Sequence, residues 1–203
     1  MSLDLPESPH RRHSSGLPRW LEWVTAISAL VVSVCSIFIA LRNGEIETKM
    51  VKANSFPYLV GVISDATPEG RQQISMDFYN NGVGPADEQS LKISVDGRYV
   101  KSVPDLINAA LGPEEAKRAM PLLLGLHNTI RTRFVAAKGD QFVFRIARTP
   151  QNAAVWDKLD ATQSRWRVEY CYCSVFDECW AVHEETHTPV KACKRDEPNE
   201  FLP

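Results

Sequence analysis

Strong net charge is the first thing this chain does without. Its 23 Lys and Arg stand against 25 Asp and Glu, a formal balance of −2 over 203 residues. So even a balance gives no field to gather nucleic acid or an oppositely charged partner. Aromatic residues make up 9% of the chain, and they are not interleaved with a basic groove, so no stacking platform for single strands is present. No period of about 20 to 50 residues recurs, which excludes a solenoid or propeller. The densest glycine cluster, NNGVGPA at 80–86, is followed neither by G-K-[ST] nor by a helix start, and this excludes a phosphate-binding loop. There is no G-x-S-x-G nucleophile turn and no carboxylate pair arranged for glycoside chemistry. The cysteines contain no C-x-x-C at a helix N-terminus, the setting that lowers a thiol pKa for disulfide catalysis.

What the chain does have begins with a hydrophobic run. Residues 24–41, VTAISALVVSVCSIFIAL, carry no charge, Gly or Pro. As a helix they extend about 27 Å at ~1.5 Å per residue, close to the ~30 Å hydrocarbon core of a bilayer. Trp20 and Trp23 stand where interfacial aromatics sit. A buried core helix would show a polar stripe. Here Thr25, Ser28, Ser33 and Ser36 are the only polar residues, and Ser and Thr satisfy their hydroxyls on their own helix carbonyls. A cleaved signal peptide has a shorter apolar region ending at small residues, which this segment lacks before Arg42. Val34 before Cys35 does not fit a lipidation signal, so Cys35 reads as a small apolar residue of the span.

The expected organisation is a disordered cytosolic tail at 1–19, a transmembrane helix at 20–42 and a stalk or helix extension at 43–55. An extracytoplasmic domain follows at 56–195, with a flexible C-terminus at 196–203. Charge counting does not orient the span: Arg11, Arg12 and Arg19 precede it, and Arg42, Lys49 and Lys52 follow. The cysteines orient it better. Cys171, Cys173, Cys179 and Cys193 all lie in the domain beyond the span, and an even number in one soluble domain suits an oxidising compartment. The domain is therefore expected outside an inner (cell) membrane, with the N-terminus in the cytosol.

From Phe56 the pattern turns to short strands. FPYLVGVISD reads as a first or edge strand. In RQQISMDFYNNG, Ile74, Met76 and Phe78 alternate with Ser75, Asp77 and Tyr79. LKISVDGRYVKSV turns at Asp96-Gly97, a type I′ hairpin signal. VPDLINAAL is a short helix ended by Gly112-Pro113. The next helix, PEEAKRAMPLLLGL, is interrupted by Pro121. NTIRTRFVAAKGDQFVFRIA gives two strands joined near Lys138-Gly139-Asp140. TPQNAAVWDKLDA is a helix with Thr149 as N-cap and Pro150 at its first position. RWRVEYCYCSVF and CWAVHEE make a final hairpin. About seven short strands with small helical insertions predict a mainly β chain, an antiparallel Ig-like β-sandwich. Trp156, Trp166 and Trp180 are expected as core or sheet-face anchors. PLLLGL at 121–126 reads as core, with an exposed docking patch as the alternative.

YNNGVGPADEQSLKISVDGRYV resembles a segment of extracytoplasmic Ig-like domains: a strand, then N-x-G-x-G-P-A, then a strand ending in D-G. There Gly82 and Gly84 supply positive φ for the crossing between strands. With the hairpin Y-C-x-C-S-V-x-x-x-C-W at 170–180, residues 20–195 resemble uncharacterised bacterial single-pass membrane proteins with an Ig-like extracytoplasmic domain. That group implies no activity.

Cys171 and Cys173 are two apart on one strand face, ~6.6 Å along it and beyond the ~3.5–4.5 Å Cβ separation of a disulfide. A hairpin across SVFDE sets Cys173 opposite Cys179, which leaves Cys193 for Cys171. Four cysteines nevertheless allow three connectivities. A structural zinc site of Cys171, Cys173, Cys179 and a histidine is an alternative that oxidation would pre-empt. HEETH at 183–187 matches H-E-x-x-H, in which His183 and His187 on one helix face would hold zinc and Glu184 would act as base. The preceding CWAV reads as a strand, where residues four apart sit ~13 Å away from each other, and Pro189 closes any helix. No catalytic residue, cofactor or metal is therefore assigned. The expected function is membrane-anchored binding or scaffolding: a bilayer contact through 20–42, a protein or envelope partner, and no nucleic acid. A zinc hydrolase using HEETH and an accessory subunit of a membrane complex are the alternatives.

Overall fold

The computed structural model describes residues 18–123, 127–129 and 133–202. Residues 1–17 of the expected tail at 1–19 and the end of PLLLGL at 124–126 lie outside the described residues. The chain divides into two compact units, 1–49 and 50–203.

Helix α1 (Arg19–Ala53) has no buried residue. It is long and apolar enough to cross a membrane by length and composition. Its hydroxyls are satisfied internally: Thr25 donates to the Glu22 carbonyl, Ser28 to Val24, Ser33 to Ala29 and Ser36 to Val32, at 2.8–2.9 Å. Residues 43–53 continue the same helix.

The second unit is built on two antiparallel sheets. The four-stranded sheet runs β1 (Leu59–Ala66), β2 (Gln72–Asn80), β7 (Asp140–Ala147), β5 (His127–Thr129). The six-stranded sheet runs β10 (Thr186–Val190), β9 (Cys179–His183), β8 (Trp166–Cys173), β3 (Ala86–Val95), β4 (Arg98–Val100), with β6 (Phe134–Val135) also on β3. Ile74, Met76 and Phe78 of β2 point into one hydrophobic core with Leu91 and Ile93 of β3 and Tyr170 and Tyr172 of β8. Period-two alternation places these residues on the inner faces. On the other side of β2, Ser75 and Asp77 are also buried, with Asp77 held by Arg145 at 2.7 Å and Ser75 at 2.5 Å, whereas Tyr79 is exposed. The β3–β4 turn has positive φ at both Asp96 (50°) and Gly97 (79°), the pair that a type I′ turn needs.

Three helices join the core. In α2 (Val103–Leu111), Ser102 accepts from the Asp105 N–H as N-cap. Helix α3 (Pro113–Leu123) runs through Pro121 rather than stopping there. Pro121 lies in the last turn, so the missing N–H costs a single terminal bond. Helix α4 (Ala153–Asp160) starts three residues later than its sequence implies, with Asn152 at the cap position. Thr149 and Pro150 belong to the preceding turn, where the Asn152 side chain accepts from the Thr149 N–H at 2.7 Å. Strands β6 and β7, the two strands joined near Lys138-Gly139-Asp140, go to different sheets.

Gly82 and Gly84 carry the crossing from β2 to β3, but positive φ is not the reason, since neither has one. They are glycines because the backbone of residues 55–58 presses on them. A Cβ at Gly84 would lie within 2.0 Å of the Ser55 carbonyl oxygen, and one at Gly82 within 2.4 Å of that of Phe56. Buried Asn80 pins this crossing. Its amide donates to the carbonyls of Gly84 (2.8 Å) and Val135 (3.1 Å), and its oxygen accepts from the N–H groups of Tyr58 and Gly82.

The expected flexible C-terminus is docked as far as Leu202. The buried Glu200 carboxylate accepts from Ser90 (2.6 Å) and from the Leu91 N–H (3.0 Å), and Phe201 is 1% exposed. The Phe201 N–H then donates to the Leu91 carbonyl. A polar tail with one aromatic anchor and one buried acceptor set is enough to order these residues.

Candidate functional site

Register in the β3–β8–β9–β10 half of the larger sheet sorts the side chains onto two faces. Ser90, Lys92, Glu169, Cys171, Cys173, Cys179, Ala181 and His183 share the outer face. Tyr170, Tyr172, Trp180, Val182 and His187 share the inner one. One alternating pattern thus builds two different environments on a single strand.

On the outer face, Cys171 is bonded to Cys193 and Cys173 to Cys179. The cross-strand pair Cys173↔Cys179 explains the second bridge, since the SVFDE turn brings the two thiols opposite each other. Ser174 organises that turn by accepting from the N–H groups of Phe176 (3.1 Å) and Glu178 (3.3 Å). The first bridge ties residues 191–195 across the sheet. The two bridges touch: Cys173 Sγ lies 3.7 Å from Cys193 Sγ. Because all four sulfurs are bonded in pairs, none is a free thiolate for a metal, and the histidine of the alternative zinc set is not among the clustered groups.

Between the outer face and residues 190–194 lies a trough of about 510 Å³. Cys171, Ala181, Val190 and Ala192 give it an apolar floor, and Lys92, Lys191, Lys194, Glu169 and His183 line its sides. Lys92 is neutralised by Asp196 at 3.2 Å. Glu169 accepts from the Tyr99 hydroxyl at 3.2 Å, and burial beside that carboxylate raises the Tyr99 pKa. His183 Nδ1 is 3.5 Å from Glu169. Among the described residues neither Lys191 nor Lys194 forms an ion pair with a carboxylate.

The inner face is aromatic. Tyr172, fully buried, stacks on Trp180 (centroids 5.5 Å) and is hydrogen-bonded through its hydroxyl to His187 Nδ1 at 3.0 Å. His187 stacks on Tyr58 at 4.5 Å, and burial lowers its pKa. The Tyr170 hydroxyl covers the open edge of β1, donating to the Leu59 carbonyl (2.9 Å) and accepting from the Gly61 N–H (3.0 Å). Burial pushes its pKa up to about 12. A second, smaller groove of about 360 Å³ runs between β1 and the β9–β10 hairpin.

This geometry separates the HEETH residues. His183 closes β9 and His187 lies in β10, joined by a turn with positive φ at Glu184 and Glu185. His183 pairs across the hairpin with Thr186, and His187 with Val182. The two imidazoles therefore sit on opposite faces of the sheet, one toward the trough and one among the tyrosines. Glu184, on the turn, stands between no pair of ligands. Sequence reasoning missed the trough itself. Lys92, Glu169, Ala181 and Lys191 come from four separate segments, and the only local sign was the alternation that sets Glu169 and Cys171 on one face. No protein-family model matches the chain, and no curated protein or solved structure matches it.

Proposed function

We propose that this protein is a membrane-anchored binding module. Residues 20–42 of α1 cross the inner membrane, and the two sheets form an Ig-like sandwich on its oxidising side. Two disulfides in one domain support that placement, since such bonds persist where thiols are not kept reduced. The trough is the recognition site. The observation that carries this reading is its construction: an apolar floor of useful size, a wall fixed covalently by Cys171–Cys193, and two lysines that pair with no carboxylate among the described residues. Ligand sites combine an apolar lining with a few placed charges in this way. The occupant is an anionic group on a partner protein or envelope component.

The test has two arms. An alkaline-phosphatase fusion after Pro203 should be active, and a fluorescent-protein fusion that needs a reducing cytosol should be dark. A photo-crosslinking residue at Val190 should capture a product in membranes, and the double charge reversal Lys191→Glu/Lys194→Glu should abolish it. Phosphatase inactivity would remove the topology. Crosslinks indifferent to the charge reversal would remove the trough.

A further inference from the structure

The contact between the two disulfides has a chemical consequence that needs nothing from the trough's role in binding. Cys173 and Cys193 belong to different bridges, yet their sulfurs are 3.7 Å apart. The Sγ atoms of Cys173, Cys179 and Cys193 all lie within 4.8 Å of one another. Thiol–disulfide exchange requires a thiolate within contact distance of a disulfide sulfur. We propose that the four cysteines form one exchangeable unit, a thiol–disulfide exchange site addressed by an external dithiol.

The steps balance. A dithiol attacks the Cys173–Cys179 bond and, through a mixed disulfide, closes to its own cyclic disulfide. It gives up two electrons and leaves thiols at Cys173 and Cys179. The Cys173 thiolate then attacks Sγ of Cys193. A Cys173–Cys193 bond forms, the Cys171–Cys193 bond breaks, and its electron pair leaves on Cys171, which takes up the proton lost by Cys173. The product has one bridge, as before the internal step, but its free thiols are now Cys171 and Cys179. Cys193 stays anchored throughout, so residues 191–195 remain tied to the sheet. The bridge that masked Cys171 is gone. This residue lines the trough together with Lys191 and Lys194. Exchange thus unmasks a nucleophile inside the trough.

The experiment uses the full chain in mild detergent. It is treated with one equivalent of dithiothreitol, quenched with an alkylating reagent, and mapped by mass spectrometry after chymotryptic cleavage at Tyr170 and Tyr172, which separates Cys171 from Cys173. The expected result is a population carrying a Cys173–Cys193 linkage with alkyl groups on Cys171 and Cys179. The variant Cys179→Ser should show the same linkage without any reductant, as a mixture with Cys171–Cys193, and its near-UV circular dichroism reports whether it is folded. Exclusive retention of Cys171–Cys193 in both the partially reduced protein and the folded variant would overturn the proposal. If Cys179→Ser does not fold, the wild-type map decides alone.

Discussion

The two faces of β8 differ in what holds them. Inward, Tyr170 and Tyr172 are covered by the opposite sheet and by neighbouring rings, and they need no covalent help. Outward, Cys171 is tied to residues 191–196, a short polar stretch whose other ties to the domain are polar ones: Lys92 to Asp196 and Arg195 to the Gln89 carbonyl. The disulfides sit on the face that lacks a second layer. Cross-links replace packing where packing is thin, for the same reason that small secreted domains are rich in them.

That contrast predicts a graded set of losses. Tyr172→Ala, which empties the inner face, should cost about 3–5 kcal/mol in chemical denaturation of the oxidised protein. A loss below that of either disulfide would reverse the ranking of the faces. On the outer face, removing both partners of Cys171–Cys193 should cost about 3 kcal/mol, and removing Cys173–Cys179 about 2, because the first closes the longer loop. Equal costs would show that loop length is not what the bridges constrain. Tyr170→Phe keeps the ring but leaves the Leu59 carbonyl and Gly61 N–H without their partner, a loss of about 1–2 kcal/mol. Hydrogen exchange at Gly61 should quicken in that variant.

The smallest effect is one of pH. His187 faces the rings of Tyr58 and Tyr172, with Glu184 and Glu185 on the adjoining turn. Burial keeps its folded pKa below the ordinary value. The unfolded chain therefore takes up this proton at higher pH than the folded one. Stability is full above the ordinary histidine range and is lost as pH falls through it toward the folded pKa. Denaturation midpoints measured from pH 7.5 down to 5.5 should decline, and His187→Gln should flatten the slope. An unchanged slope would assign the decline to other groups.

Much of the fold was legible because its signals are local. Alternation located Ile74, Met76 and Phe78 on the inner face, Asp96-Gly97 marked its turn, and the charge-free run marked α1. The misreadings share a cause. Pro121 and Thr149 are strong local punctuation, but α3 tolerates a proline in its last turn, and a buried Asn152 captures the cap position by bonding outward to residues 147 and 149. Gly82 and Gly84 were legible as required glycines for a reason that proved different, because close approach of a distant backbone leaves no trace in a seven-residue window. The docked C-terminus was illegible because Glu200 finds its donors at Ser90 and Leu91, more than a hundred positions away.

By itself the sequence determined the long apolar helix, the strand alternation, and the hairpin that sets Cys173 opposite Cys179, since each follows from backbone period and chain length over a few neighbouring residues. Only the tertiary structure decided that His183 and His187 part to opposite faces, that four segments meet around one trough, and that two disulfides touch. Those outcomes depend on which strands become neighbours, and that is set by burying one shared core rather than by any stretch of chain alone.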